Sequence, residues 1–163
     1  MTQDECRNDT RKHKEIVAGL IIEIIKELLQ RAIVHDNSKL ESPEIEAFTE
    51  FTPKLCETVY GSEEYKECLR QMKPAIKHHQ ENNRHHPEYF GDFAPIDKMN
   101  LVDIIEMLCD WKAATLRMKD QGDIKKSIDI NKKRFDMSGQ LCNILENTVE
   151  LLEKRNVLPD TKK

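Results

Sequence analysis

Apolar residues recur at helical spacing through most of this chain, and nowhere do they alternate as a half-buried strand requires. Val17, Leu20, Ile21, Ile24 and Leu28 share one stripe, on which His13 also lies. Leu101, Ile104, Leu108 and Trp111 form another, and Ile128, Phe135, Leu141, Leu145, Val149 and Leu152 a third. Five Gly and six Pro in 163 residues are too few for the many reversals of a sheet. An all-α fold of about five to seven helices is therefore expected. A chain of this length sustains one core, so a single domain over residues 1–163 is the natural reading.

Local signals divide the pattern. Asn8-Asp9-Thr10 offers N-caps for the first helix. Ser42-Pro43-Glu44 opens a second, with Pro at the first helical position and an acid near the positive helix end; Pro53 should stop it. Gly61-Ser62-Glu63-Glu64 opens a third, carrying Tyr65, Cys68, Leu69 and Met72 inward, and Pro74 kinks or restarts it. Asn82-Asn83-Arg84 and Pro87 predict irregular backbone, and residues 91–98 a loop. Asn100 followed by Asp103 resembles a helix cap with its reciprocal acid, opening a helix that Gln121-Gly122-Asp123 ends. One long C-terminal helix is expected over 124–154, followed by a frayed tail over 156–163.

A net charge of −4 and a pI near 5.9 argue against a surface built to hold duplex nucleic acid, while leaving a small phosphorylated ligand open. The five cysteines, Cys6, Cys56, Cys68, Cys109 and Cys142, are scattered without a CxxC pair and read as reduced thiols of a cytoplasmic protein. The polar start MTQDECRNDTRKHKE is unlike a secretory signal, and Glu23, Lys26 and Glu27 interrupt the most apolar stretch too soon for a membrane span. No GxxxxGK, GxSxG or GxGxxG is present, which removes P-loop, hydrolase-elbow and Rossmann chemistry.

The six histidines fall in three places: His13, His35 beside Asp36, and four within nine residues at His78, His79, His85 and His86. Imidazole and carboxylate together suit zinc, iron, manganese, cobalt or nickel better than calcium or magnesium. One or two such divalent ions are the expected cofactor. Taken singly, His13 on an apolar stripe reads as a core histidine; His35-Asp36 has a helix end and turn as its bland alternative, but the preceding Ala-Ile-Val and the Lys39 three residues on favour ligation. Asp103 sits where a capping acid would. Asp103, Glu106 and Asp110 share a helix face and call for a compensating cation, which either Arg117 or a metal held by Asp110 with Glu106 behind it would provide.

The order His13, then His35-Asp36-Asn37-Ser38-Lys39, then paired histidines, then a helical acid resembles the HD-domain metal-dependent phosphohydrolase superfamily. HKEIV, HDNSKL, NNRHHPEYF and EMLCDW together look like an uncharacterised HD-like family of bacteria and their phages, over roughly residues 10–120. The resemblance implies a metal-site core over residues 8–120 with His13, His35, Asp36 and Asp110 as ligands. His79, His85 and His86 are similar to the additional histidines of branches that hold two or more metals, with His85 and His86 as alternatives. No GYP follows the paired histidines, so cyclic-dinucleotide cleavage is not implied.

On this reading metal-activated water attacks a phosphoryl group. Asp36 and Lys39 are the catalytic candidates; Lys39 and Arg84 would balance substrate phosphate. The run Lys125, Lys126, Lys132, Lys133, Arg134 reads as a solvated face. The substrate would be a small phosphorylated molecule, a nucleotide first among them. A di-iron oxygenase and a non-catalytic metal- or nucleotide-sequestering protein are the alternatives. Geometry sets one condition: His13 and His35 are 22 residues apart, so on a straight helix they stand roughly 33 Å apart. The chain is therefore expected to turn back between Ile24 and Gln30.

Overall fold

The computed structural model describes residues 1–59, 62–117 and 123–154. Among these there are seven α-helices and no strand: α1 (Gln3–Val34), α2 (Glu44–Glu57), α3 (Glu63–Gln71), α4 (Lys73–Asn82), α5 (Leu101–Arg117), α6 (Ile124–Phe135) and α7 (Gly139–Lys154). Short 3-10 turns occupy Asn37–Leu40, Pro87–Phe90 and Pro95–Lys98. The all-α expectation holds. No helix in the described part is long and apolar enough to cross a membrane. The chain divides into two compact units, residues 1–35 and 36–163.

The first unit is α1 alone, and it corrects two expectations. The helix begins at Gln3, earlier than Asn8-Asp9-Thr10 suggests, because Thr2 and Glu5 form a reciprocal capping box: Thr2 N–H donates to Glu5 Oε2 (2.6 Å) and Glu5 N–H to Thr2 Oγ1 (3.2 Å). It then runs unbroken for 32 residues. No reversal occurs between Ile24 and Gln30, a stretch with neither Gly nor Pro to interrupt the backbone ladder. None of its residues is buried.

In the second unit α2 packs against α4 and the Asn37–Leu40 turn, α3 against α2 and α4, and α4 against the Pro87–Phe90 turn. α2 continues through Pro53 to Glu57 rather than stopping, forgoing the one backbone donor that proline lacks. Ser62 caps α3 by accepting from Tyr65 N–H (3.1 Å), and Pro74 sits in the first turn of α4, where a missing N–H costs nothing.

α5, α6 and α7 build the apolar core from Ile104, Met107, Leu108, Ile124, Ile128, Met137, Cys142, Leu145 and Val149, with Trp111, Phe135 and Leu141 against it. Burying nine such side chains at ~1.5–3 kcal/mol each is the main source of stability in this unit. Leu101, expected inward, opens the helix and is 74% exposed. The single helix expected over 124–154 is two. Asp136 takes the left-handed conformation (φ 51°) and closes α6, Met137 plugs into the core, and Ser138 Oγ accepts from Leu141 N–H (3.1 Å) to start α7. The expected helix end at Gln121-Gly122 and the tail over 156–163 lie outside the described residues.

Candidate metal centre

Three local features carry the buried histidines. α4 starts at its proline with Ala75 and His79 on one inward face, four residues apart. Asn83 then ends the helix: its amide donates to the His79 carbonyl (2.7 Å) and to Ser38 Oγ (2.7 Å), tying the chain where it leaves helical geometry. The backbone turns through Asn83 to His86, whose N–H reaches the Asn83 carbonyl (3.1 Å), and Pro87 begins the next 3-10 turn. His85 and His86 are thereby folded back toward His79, with ring centroids 5.8 and 4.8 Å from it. Asp36, left-handed at φ 58°, occupies the turn before Asn37–Leu40, a conformation Asp tolerates.

The coordinating atoms of His79, His85 and His86 all lie within 4.8 Å of one another. Metal–nitrogen bonds of ~2.0–2.1 Å would need less than about 1 Å of ring movement. Asp36 Oδ1 faces the same point, 3.2 Å from His79 Nε2 and 3.5 Å from His85 Nε2. Its other oxygen takes the Lys39 ammonium at 2.7 Å.

The opposite ring nitrogens face carboxylates. Glu44, fully buried at the start of α2, accepts from His79 Nδ1 (2.8 Å) and Ser38 Oγ (3.0 Å) on one oxygen and from His78 Nδ1 (2.7 Å) on the other. Glu106 Oε1 lies 3.3 Å from His85 Nδ1. In the tautomer that carries its proton on Nδ1, toward the carboxylates, Nε2 of His79 and of His85 turns a lone pair toward Asp36. Nε2 of His79 and of His86 is buried and makes no hydrogen bond. His86 is held neutral as well: burial, then the neighbouring His85 and His79, lower its pKa to about 3 against the opposing pull of Asp110. Lone pairs converging without donors are costly unless a cation takes them up.

The expected residues therefore divide. Asp36, Lys39, His79, His85 and His86 come together, with His85 buried and His86 partly so. Asp110 lies close enough to act on His86, and Glu106 stands behind His85 as the second-shell reading proposed. His35 caps the C-terminal end of α1, directly before Asp36.

Two expectations are corrected. His13 is exposed on the unbroken α1, 22 residues from His35, so one copy of the chain cannot bring both to one ion. Arg84 is not available for phosphate. Its Nε and terminal nitrogen grip both oxygens of the fully buried Asp103 (3.1 and 3.0 Å), and its guanidinium stacks on Tyr89 and Phe90. Asp103 also exchanges bonds with Asn100 (3.1 and 3.0 Å) and is the capping acid its position suggested. Arg134 pairs with Glu88, so the basic run is not wholly a solvated face.

Glu44 is the residue that sequence reasoning missed. At the first turn of a helix opened by Ser42-Pro43, an acid is fully explained by the helix dipole. The pair His78-His79 was the only hint that two imidazoles needed a common acceptor.

Residues 2–151 match the model of a family described as a family of unknown function, DUF5662. The chain belongs to that family. No curated protein and no solved structure matches it. The match spans every residue of the centre described above, from Asp36 to Asp110.

Proposed function

We propose that the chain is a cytoplasmic metal-dependent phosphohydrolase of HD type, acting on a small phosphorylated substrate such as a nucleotide. One observation supports it above others: three imidazoles and a carboxylate converge, with Nδ1 of His79 and of His85 facing Glu44 and Glu106. That is how a first-row divalent ion is held, with carboxylates orienting its histidines from behind. Such an ion brings bound water toward neutral pKa and polarises a phosphoryl oxygen. Asp36 is the residue able to bridge ions or orient the water, and Lys39, already on Asp36, supplies positive charge for an incoming phosphate. All five cysteines are free thiols, consistent with a reducing compartment.

The test is elemental analysis of protein purified without chelator, followed by phosphate release from a panel of nucleotides and sugar phosphates. The proposal expects about one or two bound transition-metal ions per chain and turnover that chelator abolishes. Tight nucleotide binding without turnover across Mn²⁺, Fe²⁺, Co²⁺ and Zn²⁺ would make the chain a sequestering protein. Oxygen consumption by the Fe²⁺ form would make it an oxygenase. Absence of metal with unchanged stability in chelator would remove the centre altogether.

A further inference from the structure

Asp36 turns one oxygen to the histidines and keeps the other for Lys39. Its Oδ2 takes the Lys39 ammonium at 2.7 Å, while Oδ1 faces Nε2 of His79 (3.2 Å) and of His85 (3.5 Å). Turning Oδ2 to an ion as well would forfeit a charge-assisted contact. His79, His85 and His86 contribute one nitrogen each, all within 4.8 Å of one another. Nδ1 of His79 and of His85 faces Glu44 and Glu106, so neither ring offers a second nitrogen. The set toward an ion is three nitrogens and one oxygen.

Such a set serves different ions differently. Two bonds of ~2.0–2.1 Å meeting at the tetrahedral angle put their donor atoms roughly 3.3–3.4 Å apart, and at a right angle roughly 2.9 Å. The two distances from Asp36 Oδ1, 3.2 and 3.5 Å, bracket the first value and exceed the second. Zinc held tetrahedrally by four protein donors is saturated, as in structural sites; catalytic zinc keeps three and leaves the fourth position to water or substrate. Manganese accepts more donors and retains open positions beside the same four. The approach also passes Asp36: its side chain and that of Lys39 are 23% and 24% exposed, those of His79 and His85 only 4% and 2%.

We infer that Asp36, as a fourth donor beside His79, His85 and His86, closes the centre to substrate when the ion is zinc, so that Zn²⁺ is an inhibitor of this chain and Mn²⁺ a working ion. The inference rests on the metal reading above. Nitrogen and oxygen donors bind Zn²⁺ more tightly than Mn²⁺. Affinity and turnover therefore run in opposite directions between the two ions.

Full-length chain stripped with chelator is loaded separately with Zn²⁺ and with Mn²⁺. Inorganic phosphate is titrated into each form by calorimetry, beside phosphate release from the ester panel. The Zn²⁺ form should bind phosphate at least about tenfold more weakly than the Mn²⁺ form, and Zn²⁺ added to the Mn²⁺ form should extinguish its turnover. Asp36→Ala leaves three imidazoles, enough to hold zinc. In that variant phosphate affinity should rise about tenfold in the Zn²⁺ form, where a position has opened, with no like gain in the Mn²⁺ form, where one was open already. Equal phosphate affinity of the two wild-type forms overturns the inference. An equal gain in both forms of Asp36→Ala overturns it too, since removal of a negative charge then explains the change. Retention of neither ion defeats the metal reading and the inference with it. If the Mn²⁺ form binds phosphate but cleaves no ester, the hydrolase reading fails, and the phosphate titrations still decide the role of Asp36.

Discussion

α1 and the segment from Asp36 to His86 are built on opposite principles. α1 is 32 residues of uninterrupted local order with no buried residue. The Asp36 to His86 segment breaks its backbone repeatedly, yet buries Glu44, His79 and His85 to 3% exposure or less. A regular helix follows from its caps and its lack of breakers; a cluster of buried polar groups exists only because distant elements meet. The first therefore holds its structure locally, and the second gathers polar groups that the proposed cation would satisfy. Substitutions should separate the two.

The largest effect is expected at His79. His79→Ala removes a proposed ligand whose other nitrogen already faces Glu44, and bound metal should fall below detection in elemental analysis while far-ultraviolet circular dichroism keeps its helical amplitude. Glu44→Gln leaves every ligand in place but weakens the acceptor for His79 Nδ1. Metal affinity should drop by roughly 10–100-fold, the usual cost of losing a carboxylate behind a histidine ligand, measurable by competition with a chromophoric chelator. If Glu44→Gln binds metal as the wild type does, the carboxylate is structural and the centre does not depend on its tautomers.

Arg84→Ala leaves the carboxylate of Asp103 buried with its guanidinium gone. Breaking a buried pair costs ~3–5 kcal/mol; Arg84 retains 39% of its side-chain exposure, so about 2 kcal/mol is the expected loss in urea unfolding, because water reaches part of the site. The comparison sharpens if turnover per bound metal is unchanged in this variant. A selective rise in KM for phosphate esters would restore Arg84 to substrate binding.

How much of this was legible in sequence follows the same division. Ser62 and Asn100 caps, the Pro74 restart and the capping role of Asp103 rest on contacts within three or four residues, and each is found. The break at Asp136 was also written locally, in Asp136-Met137-Ser138-Gly139, but the apolar period running across it concealed the two ends. The cluster of Asp36, His79, His85 and His86 was marked by unusual residue types close together. Glu44 was not, since its partners lie 34 and 35 residues away and its helix-start position already explains an acid. The continuity of α1 was legible in the absence of Gly and Pro between Ile24 and Gln30, which outweighs any demand that His13 and His35 share one ion within one chain.

Acid should weaken the second unit through His86. His86 is neutral in the folded chain down to about pH 3, whereas in the unfolded chain it takes up a proton near its ordinary value of 6.5. Between those limits the unfolded state binds more protons, so stability falls as pH is lowered from 6.5 toward 3. His86→Gln, melted in chelator across that range, should show a shallower decline than the wild type; parallel declines would mean that His86 is solvated in solution.

The smallest effect lies at the far end of α1. Thr2→Ala removes the hydroxyl that accepts from Glu5 N–H and opens the capping box, at a cost of about 1 kcal/mol to the first turn. In a helix stabilised only locally, that loss should stay local: amide exchange should accelerate over the first turns of α1, with metal content and the exchange of α4 and α5 unchanged. If Thr2→Ala instead speeds exchange as far as Ile24, the capping box holds most of the helix and the order of α1 is not local.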